Sequence, residues 1–188
     1  MKQINVYEFQ ELSEEIQKQV IERERNNHIV FMDTWLDGWK EELQQKGFRD
    51  CEIQYSLSWS QGDGVSFSCD NFDIKEFLKQ FNFKESINNM LLEYGCIEIK
   101  GNKGPYSFAS MDQVDFYLDS NKLPENTPNI DNIFETVLKE LERLYINTCS
   151  ELELSGYKEI EYQLSDEQCA ERIKHNETWF TEQGIIVN

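Results

Sequence analysis

Residues Cys51 to Cys69 read CEIQYSLSWSQGDGVSFSC, and this stretch decides the fold that the sequence predicts. Apolar residues occupy the odd positions from 51 to 59, whereas glutamate, glutamine and serine fill the even ones. After a turn at Ser60–Gly64, the same parity continues in Val65, Phe67 and Cys69. Apolar residues at every second position are typical of a strand with one buried face. The stretch therefore predicts a β-hairpin whose serine-rich second face is open to solvent.

The turn of this hairpin contains Gly62-Asp63-Gly64, which invites comparison with a phosphate-binding loop. Such a loop joins a strand to a helix and supplies a lysine to the phosphate. Here the glycines join two strands, and no lysine follows them. Glycine adopts positive φ at low cost and aspartate tolerates it, so the sequence favours a tight hairpin turn.

Helical patterns stand on both sides of the predicted strands. Before the hairpin, Ser13 and Asp33 are candidate N-caps of two helices, and Gly47 is placed to end the second. The later elements predicted are a helix capped by Asp73, a short helix at about Lys84–Glu93, strands near Ile97–Ile99 and Val114–Leu118, a long helix after Thr127-Pro128, a helix capped by Ser165, and a terminal hairpin from Trp179. This order favours an α+β fold, with an antiparallel sheet of hairpins packed against N-terminal and C-terminal helices, over a parallel βαβ sheet.

The length of 188 residues predicts one α+β domain spanning residues 1–188. A soft boundary is expected at 119–128, DSNKLPENTP, because this polar segment holds two of the three prolines.

The charge of the chain restricts its partners. It carries 36 acidic and 18 basic residues, a net charge of −18, and residues 112–188 account for −11 of it. Such a surface repels a phosphate backbone and an anionic membrane, so we expect no direct binding to nucleic acid.

No apolar run approaches the length of a membrane span, and the first residues predict no signal peptide. Five cysteines without a CxxC pair indicate reduced, buried thiols in a cytoplasmic protein.

Motifs for catalysis and for metal binding are sparse. His28 and His175 lie far apart and have no neighbouring cysteine pair, so we expect no metal and no cofactor. No nucleophile-elbow motif is present, although a cysteine could still meet one of the two histidines in space. The sequence therefore favours a protein that is not an enzyme.

The segment SLSWSQGDGVSF, residues 56–67, resembles a motif of uncharacterised phage and prophage proteins. Residues 6–25 and Trp35–Glu42 resemble the first two helices of that family, and residues 162–185 resemble its C-terminal tail, whereas about 72–130 match weakly. Such proteins are often labelled antitoxins of a toxin–antitoxin stability system. The resemblance implies a phage or mobile-element setting, in which small acidic proteins often block a host defence factor.

Two functions of different classes follow. In the first, the protein inhibits a basic, nucleic-acid-handling host protein, such as a CRISPR effector, another defence nuclease or a toxin, because dense carboxylates imitate a phosphate backbone. The expected contacts lie on the acidic faces of 131–153 and 159–182, namely Glu140, Glu142, Glu151, Glu153, Glu159, Glu161, Asp166, Glu167 and Glu171. In the second, the open hairpin face binds a small molecule such as a nucleotide through Ser56, Ser58, Trp59, Gln61, Asp63 and Ser66. Both functions are compatible with a homodimer.

Overall fold

The chain contains a four-stranded antiparallel sheet together with helices, which confirms the α+β class. The structure is a computed structural model that describes residues 5–30, 32–81, 83–100, 114–118 and 130–187. Its elements are a 3₁₀ turn Phe9–Glu11, α1 Glu14–Asn27, α2 Asp33–Gln45, β1 Phe48–Ser56, β2 Gly64–Phe72, α3 Ile74–Gln80, α4 Glu85–Tyr94, β3 Gly95–Ile99, β4 Val114–Leu118, α5 Ile130–Gln163, α6 Asp166–His175, β5 Trp179–Phe180 and β6 Ile186–Val187. The large sheet has the order β1-β2-β3-β4, and β5 pairs with β6.

The chain folds into two compact units. We call Met32–Gly156 the sheet unit, and Met1–Phe31 with Tyr157–Asn188 the terminal unit. The single domain stays a prediction, and the boundary expected at 119–128 lies outside the described residues. In the described part of the chain, no helix is long and apolar enough to cross a membrane.

The first hairpin has the predicted parity, but its first strand begins and ends three residues earlier than predicted. Cys51 lies opposite Cys69, Ile53 opposite Phe67 and Tyr55 opposite Val65. Strand β1 begins at Phe48 and ends at Ser56, so the connection spans residues 57–63. The prediction that Trp59 ends the strand is therefore wrong, because its φ of 60° is incompatible with extended backbone.

The core of the sheet unit lies between this hairpin, chiefly Phe48 and the odd-numbered residues of β2, and helices α2 and α5. Helix α5 buries an inner stripe at a spacing of three and four residues, as an amphipathic helix does. The fully buried core side chains of the hairpin and the two helices include Leu43, Phe48, Val65, Phe67, Val137, Leu141, Tyr145 and Leu152. Trp39 of α2 is also buried and meets the ring of Tyr55 edge-on at 5.9 Å.

The caps predicted at Ser13, Asp73 and Ser165 are confirmed and that at Asp33 is wrong, whereas Thr127-Pro128 lies outside the described residues. The hydroxyls of Ser13 and Ser165 accept hydrogen bonds from the backbone N–H of Ile16 and Gln168, and Asp73 caps α3. Asp33 is not an N-cap: it is the first residue of α2, and the cap position belongs to Met32, whose side chain accepts no such bond. Its carboxylate still lies in the first turn of α2, where the negative charge interacts favourably with the helix dipole.

Helices α1 and α6 and the small terminal sheet form the terminal unit. Its apolar cluster consists of Phe9, Leu12, Val20, Ile173 and Phe180. Two guanidinium groups link the elements, since Arg25 donates to the carbonyl of Leu164 and Arg172 to the carboxylate of Glu24. Tyr7 bridges to Phe180 in the predicted terminal hairpin.

Candidate functional site at the tip of the first hairpin

The carboxylate of Asp63 organises the loop between β1 and β2. Its Oδ2 accepts hydrogen bonds from the backbone N–H of Ser58 at 2.6 Å and of Ser60 at 2.9 Å. Its Oδ1 accepts from the hydroxyls of Ser56 at 2.8 Å, Ser58 at 3.0 Å and Ser60 at 2.9 Å. Hydrogen bonds to an ionised acceptor are roughly twice as strong as neutral ones, so five of them hold this short loop in one conformation.

The spacing of the loop sequence produces this network. Serines alternate at 56, 58 and 60, so their side chains can converge on one carboxylate, and Gly62 at φ 102° turns the chain back toward it. A turn from Ser60 to Asp63 exists as predicted, but residues 57–63 join the strands, and Asp63 does not adopt the positive φ that the sequence suggested. Ser58 and Ser60 lie beyond the end of β1 at Ser56, and the Asp63 carboxylate takes the place of a strand partner for them.

The network presents Trp59 to solvent. Trp59 is 64% exposed, although Ser58 and Ser60, which flank it, are both hydrogen-bonded to Asp63. Its φ of 60° lies in the left-handed region, which costs roughly 1–2 kcal/mol for a residue with a β-carbon. A bulky, exposed and conformationally strained aromatic residue held by a neighbouring network is a feature typical of contact sites.

Helix α5 supports the base of the loop. A β-carbon placed on Gly156 would lie 2.5 Å from Cδ1 of Leu57 and 3.0 Å from Cζ2 of Trp39, so the glycine is needed for close packing. The indole N–H of Trp39 donates to the hydroxyl of Ser155 at 2.8 Å, which fixes the ring. Helix α5 continues through Gly156 and ends at Gln163.

Glu153 of α5 adds a second carboxylate to the tip. Burial, and then the negative charge of Asp63, raise the pKa of Glu153 above its ordinary value. A like charge raises the pKa of a carboxyl group in this way only when it lies nearby, so Glu153 lies near Asp63. The sequence did not indicate this pair, because the two acids are 90 residues apart and belong to different predicted elements.

The four acids predicted on α5 within the sheet unit fall on two sides of the helix. Glu142 and Glu153 are about three turns apart and share one side, whereas Glu140 and Glu151 share nearly the opposite side. On that opposite side, Glu140 pairs with Arg143 at 2.7 Å and Glu151 pairs with Lys46. The Glu142–Glu153 side, which adjoins Asp63, is therefore the better candidate for an external contact.

The other five predicted acids belong to the terminal unit. Glu159 and Glu161 lie near the end of α5, while Asp166, Glu167 and Glu171 lie on α6. Asp166 pairs with Arg25, and the carboxylates of Glu159 and Glu171 accept hydrogen bonds from Gln163 and Gln168. The terminal unit carries 13 acidic and 7 basic residues, whereas the sheet unit carries 23 and 11 and is the more acidic of the two.

The serine face predicted to bind a small molecule is less open than expected. Ser66 is fully buried, and its hydroxyl has no hydrogen-bond partner among the described residues. Ser56 is partly buried, and the hydroxyls of Ser56 and Ser58 donate to Asp63. Trp59 and Gln61 are exposed. The accessible part of the predicted face is thus restricted to the loop, because the strand at Ser66 is covered.

Three cysteine side chains are buried, as the sequence predicts. Cys69, Cys149 and Cys169 are buried and free, while Cys51 is partly exposed. Burial raises the pKa of Cys149 to about 12, so this thiol stays protonated and unreactive at neutral pH. The side chain of Cys96 is outside the described part of the structure.

Comparisons with protein-family models, with curated proteins and with solved structures find no match to this chain. Across the described ranges, no group of three or more histidine, cysteine, aspartate or glutamate side chains is arranged to hold a metal ion. The resemblance to phage proteins stays a prediction, and the geometry of the hairpin tip is the firmest guide to function.

Proposed function

We propose that this protein is a non-enzymatic inhibitor that binds a basic, nucleic-acid-handling host protein, and that the hairpin tip is its anchor. The observation that carries the proposal is Trp59, an exposed indole on a loop that the Asp63 network holds in one conformation. Tryptophan is enriched at binding hot spots. A loop that is already ordered loses little further entropy on binding, so more of the contact energy appears as affinity.

The surroundings of Trp59 favour a basic partner. The face of an indole attracts a lysine or arginine side chain, and Asp63 and Glu153 supply negative charge at the same tip. A lysine or arginine from the partner would relieve the repulsion between these two carboxylates. The Glu153 carboxylate, whose pKa is raised in the free protein, would then be stabilised in its charged form.

Long-range charge would bring such a partner to the tip. The sheet unit carries a net charge of −12, and Glu142 extends the acidic side of α5 beyond Glu153. Complementary charge raises the association rate and makes it fall with ionic strength. In such a partner, the lysines and arginines that line its nucleic-acid-binding groove and normally contact phosphates provide the positive charge that this acidic tip would attract. A defence nuclease or a toxin that acts on nucleic acid therefore fits this proposal.

A rescue assay tests the function in cells. The protein is expressed in bacteria that carry one defence nuclease from a panel, and phage plating efficiency is measured. We expect the intact protein to restore plating against at least one nuclease, and Trp59→Ala to lose most of that effect. Trp179→Ala is the matched control, because Trp179 is a 46% exposed tryptophan in the terminal unit and should leave rescue unchanged.

Binding measurements on the purified pair complete the test. Trp59→Ala should weaken binding at least about tenfold, which corresponds to 1.4 kcal/mol. The association rate should fall between low and moderate salt. Failure to bind or rescue against every nuclease and toxin of the panel, or binding that ignores both salt and Trp59, would overturn the proposal.

A further inference from the structure

A second candidate site lies at the opposite end of the first hairpin. A cavity of about 920 Å³ opens there between α2, the beginning of β1, the end of β2 and the beginning of α3. Its volume lies in the range of small-molecule sites, roughly 300–1,000 Å³. The nine-residue strands separate this groove from the Trp59 loop by about 25 Å, so it is distinct from the proposed anchor.

Positive side chains converge on this groove. Lys40 comes from α2, Arg49 from β1 and Lys75 from α3, and all three line the cavity. The acids in its lining are Asp50 and Asp73, so the lining has a net charge of +1 within a unit whose net charge is −12, and Asp37 of α2 lies 3.6 Å from Lys40 outside the lining. Local charge of the opposite sign to the surrounding surface indicates an anionic ligand.

The polar lining is held in place by its own contacts. The Arg49 guanidinium donates to Asp73 at 2.5 Å, and the side-chain amide of Asn71 donates to Asp50 at 2.9 Å. Asp50 has a φ of 55°, an uncommon conformation for a residue with a β-carbon, and Asn71 stabilises it. Strained backbone of this kind clusters at ligand sites. Arg49 and Asp50 are therefore fixed before a ligand arrives.

The apolar part of the lining provides a surface for a flat group. Phe72 is partly exposed and Leu92 is 48% exposed, and both border the cavity beside Ile74. An aromatic ring can pack against these side chains while phosphate oxygens meet the cations. Ligand sites commonly combine an apolar wall with a few placed polar groups.

We propose that this groove binds a nucleotide, with its phosphates at Lys40, Arg49 and Lys75 and its base against Phe72 and Leu92. Lysine binds a phosphate as a mobile point charge, whereas the fixed guanidinium of Arg49 offers directed donors. Asn71 offers a side-chain amide for the base or sugar. The sequence did not predict this site, because its cations come from three elements with no common spacing.

Calorimetry with ATP, GTP, CTP and UTP tests the proposal on the full chain. We expect at least one nucleotide to bind, with an affinity that falls as salt increases. The double variant K40A/K75A should weaken binding at least about tenfold. Both lysines are exposed, so we expect this variant to fold. The control is Lys79→Ala, since Lys79 is exposed on α3, pairs with Glu76 and does not line the cavity.

Three further arms locate the ligand within the groove. The matching nucleoside should bind more weakly than the nucleotide because it lacks phosphate, and pyrophosphate should bind more weakly because it lacks the base. Trp59→Ala should bind the nucleotide as the intact protein does, which separates this site from the hairpin tip. The proposal is overturned if no nucleotide binds more tightly than about 1 mM, or if binding is the same in K40A/K75A.

Discussion

The hydroxyl of Tyr145 binds both backbone polar groups of Phe67. It accepts a hydrogen bond from the Phe67 N–H at 3.3 Å and donates one to the Phe67 carbonyl at 3.1 Å. Both residues are fully buried, and their rings lie 4.7 Å apart. In the described residues, β2 pairs with β3 at Cys69 and Ile99, and the side chain from α5 meets the backbone of β2 two residues earlier, at Phe67. One phenol thereby joins the helix to the sheet.

Replacing Tyr145 with phenylalanine should therefore destabilise the protein. The change leaves a buried N–H and a buried carbonyl without their partner, which costs about 1–3 kcal/mol. Urea unfolding should show a lower midpoint with an unchanged slope. Tyr162→Phe is the control, because Tyr162 is 56% exposed and its replacement should change the midpoint little. Equal midpoints for the two variants would contradict the proposed role of the hydroxyl.

Removing the Asp63 carboxylate should release the loop that carries Trp59. Asp63→Ala loses five charge-assisted hydrogen bonds, yet the serines that made them can bind water, so we expect a cost of about 1–2 kcal/mol. Chymotrypsin should cleave after Trp59 about tenfold faster than in the intact protein, because the loop opens more often. Asp70→Ala changes an exposed aspartate on β2 and should leave the cleavage rate as it is.

Replacing Glu153 with a neutral residue should stabilise the protein and also weaken its binding to the proposed partner. The raised folded-state pKa means that the folded protein binds this proton more tightly than the unfolded chain does. Stability from this group is therefore present at low pH and is lost as the pH rises through the folded pKa. Glu153→Gln should thus be more stable than the intact protein at pH 7, by less than about 1 kcal/mol because water screens the pair.

The pH dependence of this difference distinguishes the cause. The advantage of Glu153→Gln should vanish below about pH 4, where the carboxyl is protonated in both states. Thermal unfolding at several pH values measures it. An advantage that persists at low pH would attribute the effect to packing rather than charge. Glu142→Gln is the control, since it removes a carboxylate from the same side of α5 that does not belong to the pair with Asp63.

Alanine should have opposite effects at two helical glycines. Alanine is favoured over glycine inside a helix by about 1 kcal/mol, and a β-carbon on Gly38 of α2 meets no atom within 4 Å. Gly38→Ala should therefore stabilise the protein. At Gly156 the β-carbon would collide with Leu57 and with Trp39, whose indole Ser155 fixes, so overpacking of about 1–3 kcal/mol should outweigh the helical gain. Equal stabilisation by both variants in urea unfolding would contradict the close packing at Gly156.

The thiols of Cys51 and Cys69 should form a disulfide under a mild oxidant. Tyr145 binds the N–H and carbonyl of Phe67, which therefore point away from β1, so Phe67 and Ile53 form a non-hydrogen-bonded pair. Hydrogen-bonded and non-hydrogen-bonded pairs alternate along an antiparallel ladder, so Cys51 and Cys69, two positions further on, form another non-hydrogen-bonded pair. Side chains approach most closely at such pairs, and the neighbouring Cys51 thiol together with burial raises the pKa of Cys69. Diamide takes one hydrogen from each thiol as the S–S bond forms, so the titratable thiols should fall by two. Cys51→Ser should show no such loss within the hairpin, and an equal loss in this variant would place the bond elsewhere.

Local rules of the sequence determined the secondary structure. Alternation over 51–69 predicts the first hairpin, and the caps at Ser13, Asp73 and Ser165 are where side-chain chemistry places them. The boundary errors have physical causes that a linear pattern does not show. The apolar alternation continues through Leu57 and Trp59. Strand β1 nevertheless ends at Ser56, because hydrogen bonds to Asp63 hold Ser58 and Ser60 outside the sheet.

Only the tertiary structure decided which residues share a surface. The sequence shows many acids, but helical phase separates Glu142 and Glu153 from Glu140 and Glu151, and folding brings Glu153 to Asp63. The same holds for Lys40, Arg49 and Lys75, which long-range packing gathers around one groove. Period and capping act over a few residues and are therefore readable in the sequence. Charge clusters and cavities depend on contacts between distant segments, which the fold alone sets.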